Sequence, residues 1–206
     1  MPKKKLDREK INQRILEIGK GKGHVPSALS CVELLCTVYE QTKKNDIVIL
    51  SKGHAALAQY VILNELGRLP DDVLATYGED GGLSEHSTYM PEYGVFASTG
   101  SLGHGLAIGM GYAIAYPKRL ITVVLGDGEV DEGSVMEAFK IMVDLELPNC
   151  STVIDANGTA GFRFTPLTRF QIQKGMYTIR PGEYHNINGK GWGKEQGTIA
   201  GHYQKP

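Results

Sequence analysis

Three short apolar runs rich in β-branched residues, Ile47–Leu50, Ile121–Leu125 and Thr152–Ile154, punctuate a chain whose other apolar residues mostly recur at helical spacing. Such runs, bounded by turn residues, predict buried strands. Ile11, Ile15 and Ile18 place one face of a helix over Asp7 to Ile18, which Gly19 to Gly23 then breaks. Ser30-Cys31-Val32-Glu33 has the form of a capping box, which puts His24 in the loop just before a second helix. His54 sits at the exit of the first strand, ahead of a helix running to about Leu66, and Gly103 to Ala115 and Gly133 to Leu145 complete the helical set. The Gly- and Ala-rich helix admits two uses, tight packing within the domain or a contact between chains, with Gly105 and Gly109 as its small residues. Strands alternating with helices predict a single α/β domain over 1–206, its sheet mostly parallel. Tyr77 to Gly100 remains as a long loop, of a length that compact domains usually reserve for function. Phe170–Gln173 and Met176–Ile179 fit either a hairpin across Lys174-Gly175 or a helix followed by a strand.

Composition removes several classes. With 206 residues, the chain is long enough for one domain with a real core. A formal charge of −1 gives no basic field for nucleic acid, and the run Lys3-Lys4-Lys5 reads as a solvated tail. Cys31, Cys36 and Cys150 share no metal spacing and read as buried, reduced thiols. The charged, polar N-terminal region has no apolar core of a signal peptide, and the longest bland stretch, Leu102 to Tyr116, is too short for a bilayer. The expectation is a soluble cytoplasmic protein without a membrane or nucleic-acid partner.

Chemistry concentrates where the strands end. Gly126-Asp127-Gly128 closes the second run just before a helix, an arrangement that aims backbone N–H groups and a helix dipole at an anion. Asp127 between the glycines would repel a phosphate, and Mg²⁺ resolves the conflict by taking carboxylate and phosphate oxygens together. Asn157 follows the third run, thirty residues after Asp127, which allows one helix and one return strand between them. Both side chains then reach one edge of a parallel sheet, where open α/β folds bind ligands. A dinucleotide loop is disfavoured because Asp131 stands where the third glycine belongs, and a P-loop is excluded because no such motif occurs. His24, His54, His86, His104 and His202 fall in glycine-rich stretches, as expected of a polar pocket for hydroxyls and phosphate.

The segment from Gly126-Asp127-Gly128 to Asn157 resembles the thiamine diphosphate motif, and Gly126 to Ala138 is similar to its transketolase form. Gly23-His24 with Leu29-Ser30, Leu50-Ser51-Lys52-Gly53-His54-Ala55 and Ser98-Thr99-Gly100-Ser101-Leu102-Gly103-His104-Gly105 resemble further transketolase blocks, in the family's order. Val25-Pro26-Ser27 departs from the usual Pro-Gly-Gly, and His104 stands where many transketolases have Gln. Pro166-Leu167, Phe170, Gly175, Gly182 and His185, then Gly189-Lys190-Gly191 and His202, resemble a contracted form of the remainder. The resemblance implies the thiamine diphosphate-binding, pyrophosphate-domain fold, shortened at its C-terminal end. It implies Asp127, Asn157 and the Thr159 carbonyl as Mg²⁺ ligands, and His54, Gly100, Ser101, Leu102, Asp127, Gly128, Glu129, Asn157 and His202 around thiamine diphosphate.

By the same resemblance, His24 and His86 contact substrate oxygens, while His54 and His202 lie near the diphosphate and the reacting carbon. Glu132 meets an acid of a partner chain across the active-site interface, whereas complementing the helix dipole suffices for Glu129 on physical grounds. The glutamate that activates the cofactor belongs to a pyrimidine-binding domain outside these 206 residues. The chain therefore resembles the N-terminal subunit of a split transketolase. Such a subunit works only with a C-terminal subunit, as a homodimer or hetero-tetramer, moving a two-carbon ketol unit between sugar phosphates in pentose phosphate metabolism. Two alternatives stay open: another thiamine diphosphate enzyme, of the deoxyxylulose-phosphate synthase or 2-oxoacid decarboxylase kind, and a degenerate binding subunit without turnover.

Overall fold

The computed structural model describes residues 5–157, together with the backbone of 159–160, 163–164 and 176–179. Helix α1 (Arg8–Ile18) starts at Asp7, whose side chain accepts the Lys10 N–H at 3.1 Å and so satisfies one of the open donors of the first turn. Helices α2 (Val25–Ser30) and α3 (Val32–Gln41) precede strand β1 (Ile47–Leu50). A single 3₁₀ turn, Gly53–Ala55, leads into α4 (Ala56–Glu65), and the short α5 (Asp71–Ala75) opens the long loop. Helix α6 (Gly105–Ala115), β2 (Ile121–Gly126), α7 (Gly133–Asp144) and β3 (Cys150–Asp155) follow. The ladder β4 (Thr159–Ala160) with β5 (Arg163–Phe164) lies next in sequence, then β6 (Met176–Ile179).

Among the described residues, four strands form one parallel sheet in the order β1-β2-β3-β6. Side chains alternate across it, as the strand repeat demands. Val48, Leu50, Val124 and Val153 face a layer built from α1 to α4. Ile47, Ile49, Ile121, Val123, Leu125 and Ile154 face α6 and α7. Strands buried on both faces need continuous apolar runs, which is why the three sequence signals were so plain. Met176–Ile179 enters the sheet parallel to β3, while Phe170 to Gly175 lie outside the described residues.

Two expectations are corrected, and one left open is decided. Ser30-Cys31-Val32-Glu33 is no capping box: Ser30 ends α2, and no side chain caps α3. Its hydroxyl goes instead to the Ser27 carbonyl and to Asp155, and Glu33 pairs with Arg8 Nε at 3.0 Å. The second helix accordingly begins at Val25, and His24 is its N-cap residue, because Pro26 suits a first helical turn. Gly105 and Gly109 also face inward rather than toward another chain. A Cβ would fall 2.4 Å from Ser51 Cβ at Gly105 and 2.4 Å from Val123 Cγ2 at Gly109, so their smallness lets α6 lie close on β1 and β2.

Candidate functional site

All parallel strands of this sheet end on one edge, and that edge gathers the polar residues. Gly126 pairs with Asp155 across β2 and β3, and the Asp127 N–H donates to the Asp155 carbonyl at 3.2 Å. Asp127 is buried; its Oδ1 accepts the N–H of Gly128 at 2.9 Å, which tightens the turn. Asn157 Nδ2 donates to Asp155 Oδ2 at 3.2 Å. Thr159, expected to offer its carbonyl, begins β4 two residues further on.

Beneath this edge lies a buried ion pair absent from the sequence-based site. Lys52 Nζ sits 2.6 Å from Asp155 Oδ2, with the two side chains 2% and 0% exposed. Ser30 Oγ also donates to Oδ2, at 3.1 Å, whereas Asp155 Oδ1 has no hydrogen-bond partner among the described residues. Burial alone would lower the Lys52 pKa, but the Asp155 charge, with Asp127 behind it, outweighs that and holds the ammonium above its ordinary range. Each half of the signal was legible, a lysine two residues beyond an all-apolar strand and an acid closing another, but nothing local pairs the two.

The histidine expectation acquires geometry. The His24 ring meets His54 at 5.8 Å between centroids and His86 at 5.3 Å, edge to face in both cases. Gly53 makes this possible. Its carbonyl accepts the Ser87 N–H at 3.2 Å, drawing the His86 segment over the exit of β1, where His54 lies. On the other flank the Gly23 N–H donates to Glu85 Oε1 at 2.7 Å, and Lys22 Nζ to the Tyr77 carbonyl at 3.0 Å. These contacts register the His24 loop against the His86 loop. Three histidines far apart in sequence thus stand together beside the strand ends.

Gly100, Ser101 and Leu102 are exposed, and His104 is the exposed N-cap residue of α6. Glu132 is the exposed N-cap residue of α7. Glu129 lies in a separate 3₁₀ turn (Glu129–Asp131) rather than the first turn of α7, so the dipole reading is replaced. Its buried carboxylate accepts the N–H groups of Gly103, at 2.7 Å, and Gly126, at 3.2 Å, and the Ser51 hydroxyl. Burial raises its pKa, against the lowering effect of those donors and of Lys52. His185, His202 and the contracted segment up to Gly191 lie outside the described residues.

Among the described residues no cluster of three or more His, Cys, Asp or Glu is placed to hold a metal. What the edge presents is one carboxylate, Asp127, and one amide, Asn157, on neighbouring strand ends. That hard, oxygen-poor donor set fits a Mg²⁺ ion completing its shell with phosphate oxygens and water, not an all-protein cage. No helix among the described residues is long and apolar enough to cross a membrane.

Fold and edge together define a parallel α/β domain whose polar residues gather at the carboxyl ends of the strands, the place where open α/β folds bind ligands. A scan against protein-family models gives no match. Individual relatives do. An apulose-4-phosphate transketolase subunit of Actinobacillus succinogenes is 39% identical over 150 residues, 66% of this chain and 54% of that protein. The protein of the same name from Phocaeicola vulgatus is 37% identical over 169 residues, 74% of this chain and 60% of that one. A 6-deoxy-6-sulfo-D-fructose transketolase subunit from a Clostridium species is 31% identical over 203 residues, 90% of this chain and 70% of its own length. Among solved structures, transketolase from Leishmania mexicana superposes with a TM-score of 0.56 at 25% identity, over 73% of this chain and 27% of that one. The chain belongs to the transketolase family. It spans little more than half the length of the two apulose-4-phosphate transketolase subunits.

Proposed function

We propose that this chain is the diphosphate-binding, N-terminal half of a split transketolase, transferring a two-carbon ketol unit between sugar phosphates. The observation that carries the reading is the convergence of His24, His54 and His86 at the exit of β1, on the sheet edge that also presents Asp127 and Asn157. Relatives named as transketolase subunits, rather than as whole transketolases, support it.

In this reading Asp127, Asn157 and the Thr159 carbonyl hold Mg²⁺, and the Gly126–Gly128 turn receives the diphosphate. Bound thiamine diphosphate supplies a nucleophilic carbon and an electron sink for breaking the ketose carbon–carbon bond. The chain's residues do the rest. His24 and His86 bind and orient sugar hydroxyls, and imidazoles near neutrality can give or take their protons. His54 acts beside the diphosphate and the reacting carbon, a role the family resemblance also gives His202. Gly100, Ser101 and Leu102 line the pyrimidine side.

The partner is a subunit carrying the pyrimidine-binding domain, docked where Glu132 is exposed, in a cytoplasmic homodimer or hetero-tetramer. Its docking would exclude water and strengthen each electrostatic contact in the site. The test is ketol transfer between ketose and aldose phosphates, by the chain alone and mixed with the product of the neighbouring gene. Activity only in the mixture is expected. Cofactor binding without turnover in any mixture would identify a degenerate subunit, and turnover of 2-oxoacids instead would identify another thiamine diphosphate enzyme.

A further inference from the structure

Ser51 and Glu129 form the centre of a buried polar knot; the family resemblance sets Glu129 near the cofactor but gives it no stated contact there, and gives Ser51 no role. Glu129 Oε1 accepts the Gly103 N–H at 2.7 Å and the Ser51 hydroxyl, and Oε2 accepts the Gly126 N–H at 3.2 Å. Ser51 Oγ in turn accepts the Gly105 N–H at 3.1 Å. One carboxylate therefore joins the residue after β1, the last residue of β2 and both glycines flanking His104. The turn has little freedom to move otherwise. Gly103 holds φ at +87°, and a Cβ there would lie 2.2 Å from Ser134 Oγ. On one side of the knot lies the exposed loop Gly100-Ser101-Leu102, and on the other the Gly126-Asp127-Gly128 turn.

We propose that Ser51 and Glu129 are positioning residues, a strut that fixes the Gly100–Leu102 loop at a set distance from the Asp127 turn. The two ends of one extended ligand are then gripped in register. The inference rests on the reading that the loop faces the pyrimidine and the turn holds the diphosphate. Glu129 acts on the ligand through the backbone it holds, since its carboxylate is buried beneath that backbone and each oxygen accepts a protein donor. A carboxylate is required because every contact to it is a donor, and an amide would aim its own N–H at one of them. The two variants therefore differ in kind. Ser51→Ala cuts the loop side alone, leaving the Gly126 contact intact, whereas Glu129→Gln disturbs both sides.

The experiment measures Mg²⁺-dependent binding of thiamine diphosphate and of inorganic pyrophosphate by calorimetry, with hydrogen exchange of the Gly103, Gly105 and Gly126 amides. Ser51→Ala should weaken thiamine diphosphate about fivefold, the loss expected for one hydrogen bond, and leave pyrophosphate within about twofold. Exchange should quicken at Gly103 and Gly105 while Ile49 and Val123 stay protected. Glu129→Gln should lose more and extend the faster exchange to Gly126; if it fails to fold, Ser51→Ala carries the test. Equal losses for both probes in Ser51→Ala, or no loss for either, overturn the inference. If the unaltered chain binds neither probe even with its partner subunit present, the metal–diphosphate reading fails. The exchange pattern then decides the strut by itself, since unchanged exchange at Gly103 and Gly105 would refute it.

Discussion

Replacing Gly53 by Ala tests how the histidine pocket is built, because a single methyl group must displace backbone. A Cβ at Gly53 would lie 1.3 Å from the Thr99 carbonyl oxygen and 2.4 Å from its carbon, with no flexible side chain to absorb the clash. Relief requires the Thr99 segment to retreat by about 2 Å, since carbon and oxygen do not pack closer than roughly 3 Å. That movement breaks the contact of Thr99 Oγ1 with the Leu50 carbonyl, 2.5 Å, and disturbs the Ser87 N–H to Gly53 carbonyl bond, 3.2 Å. Overpacking costs about 1–3 kcal/mol and each lost hydrogen bond about 1 kcal/mol, so Gly53→Ala should destabilise by about 3–5 kcal/mol. Against a total of about 5–15 kcal/mol, urea unfolding resolves such a loss easily. Gly111→Ala is the control, because a Cβ there meets nothing within 4 Å. Within α6 it should stabilise by about 0.5–1 kcal/mol. If Gly53→Ala stays within about 1 kcal/mol of the unaltered chain, the packing account of the pocket is refuted.

Other outcomes follow from the same geometry. His86→Ala should lower kcat/KM of the assembled enzyme about 100-fold with little change in Tm, because the ring is half-buried in a loop rather than in either core layer; a large fall in Tm would mean the ring supports the fold. Glu40 accepts the Leu6 N–H at 2.8 Å and Arg8 Nη2 at 2.9 Å. Burial acts to raise its pKa, but the Arg8 guanidinium and the Leu6 N–H outweigh it and hold the carboxyl below its ordinary value of 4.5. The stabilisation is therefore fully present above pH 4.5 and lost as the pH falls through the lowered value. Glu40→Gln should cost about 2 kcal/mol at neutral pH, a difference that chemical denaturation should find vanishing in acid.

The layers of the fold were legible because β-branched runs buried on both faces leave no polar positions to blur them. The edge was legible too, since Asp127 and Asn157 close such runs, and strand ends in a parallel sheet share one side. Long-range partners were not. Ser30 looked like a helix cap because Glu33 stands at the right local spacing, yet its hydroxyl serves Asp155, 125 residues away. Lys52 and Asp155 stood in segments already singled out, but nothing local shows that two buried charges neutralise each other across 103 residues. Gly105 and Gly109 show the same limit. Small residues signal a close approach without saying whose, and here the neighbours are Ser51 and Val123 of the same chain. Glu129 is the instructive case: its place just after the glycine turn suggested a helix dipole, and the structure instead gives its carboxylate three donors, Gly103, Gly126 and Ser51.

The measurement that bears most directly on the central claim is a calorimetric titration of thiamine diphosphate, with the partner subunit present, in Mg²⁺ and in chelator. It compares the unaltered chain with Asp127→Asn, which keeps the size of the side chain and removes the charge a hard cation needs. The account predicts binding that requires Mg²⁺ and falls at least about tenfold in the variant, a loss of about 1.4 kcal/mol. Equal affinity with and without Mg²⁺, unchanged by Asp127→Asn, would contradict the assignment of the strand-end edge as the metal–diphosphate site.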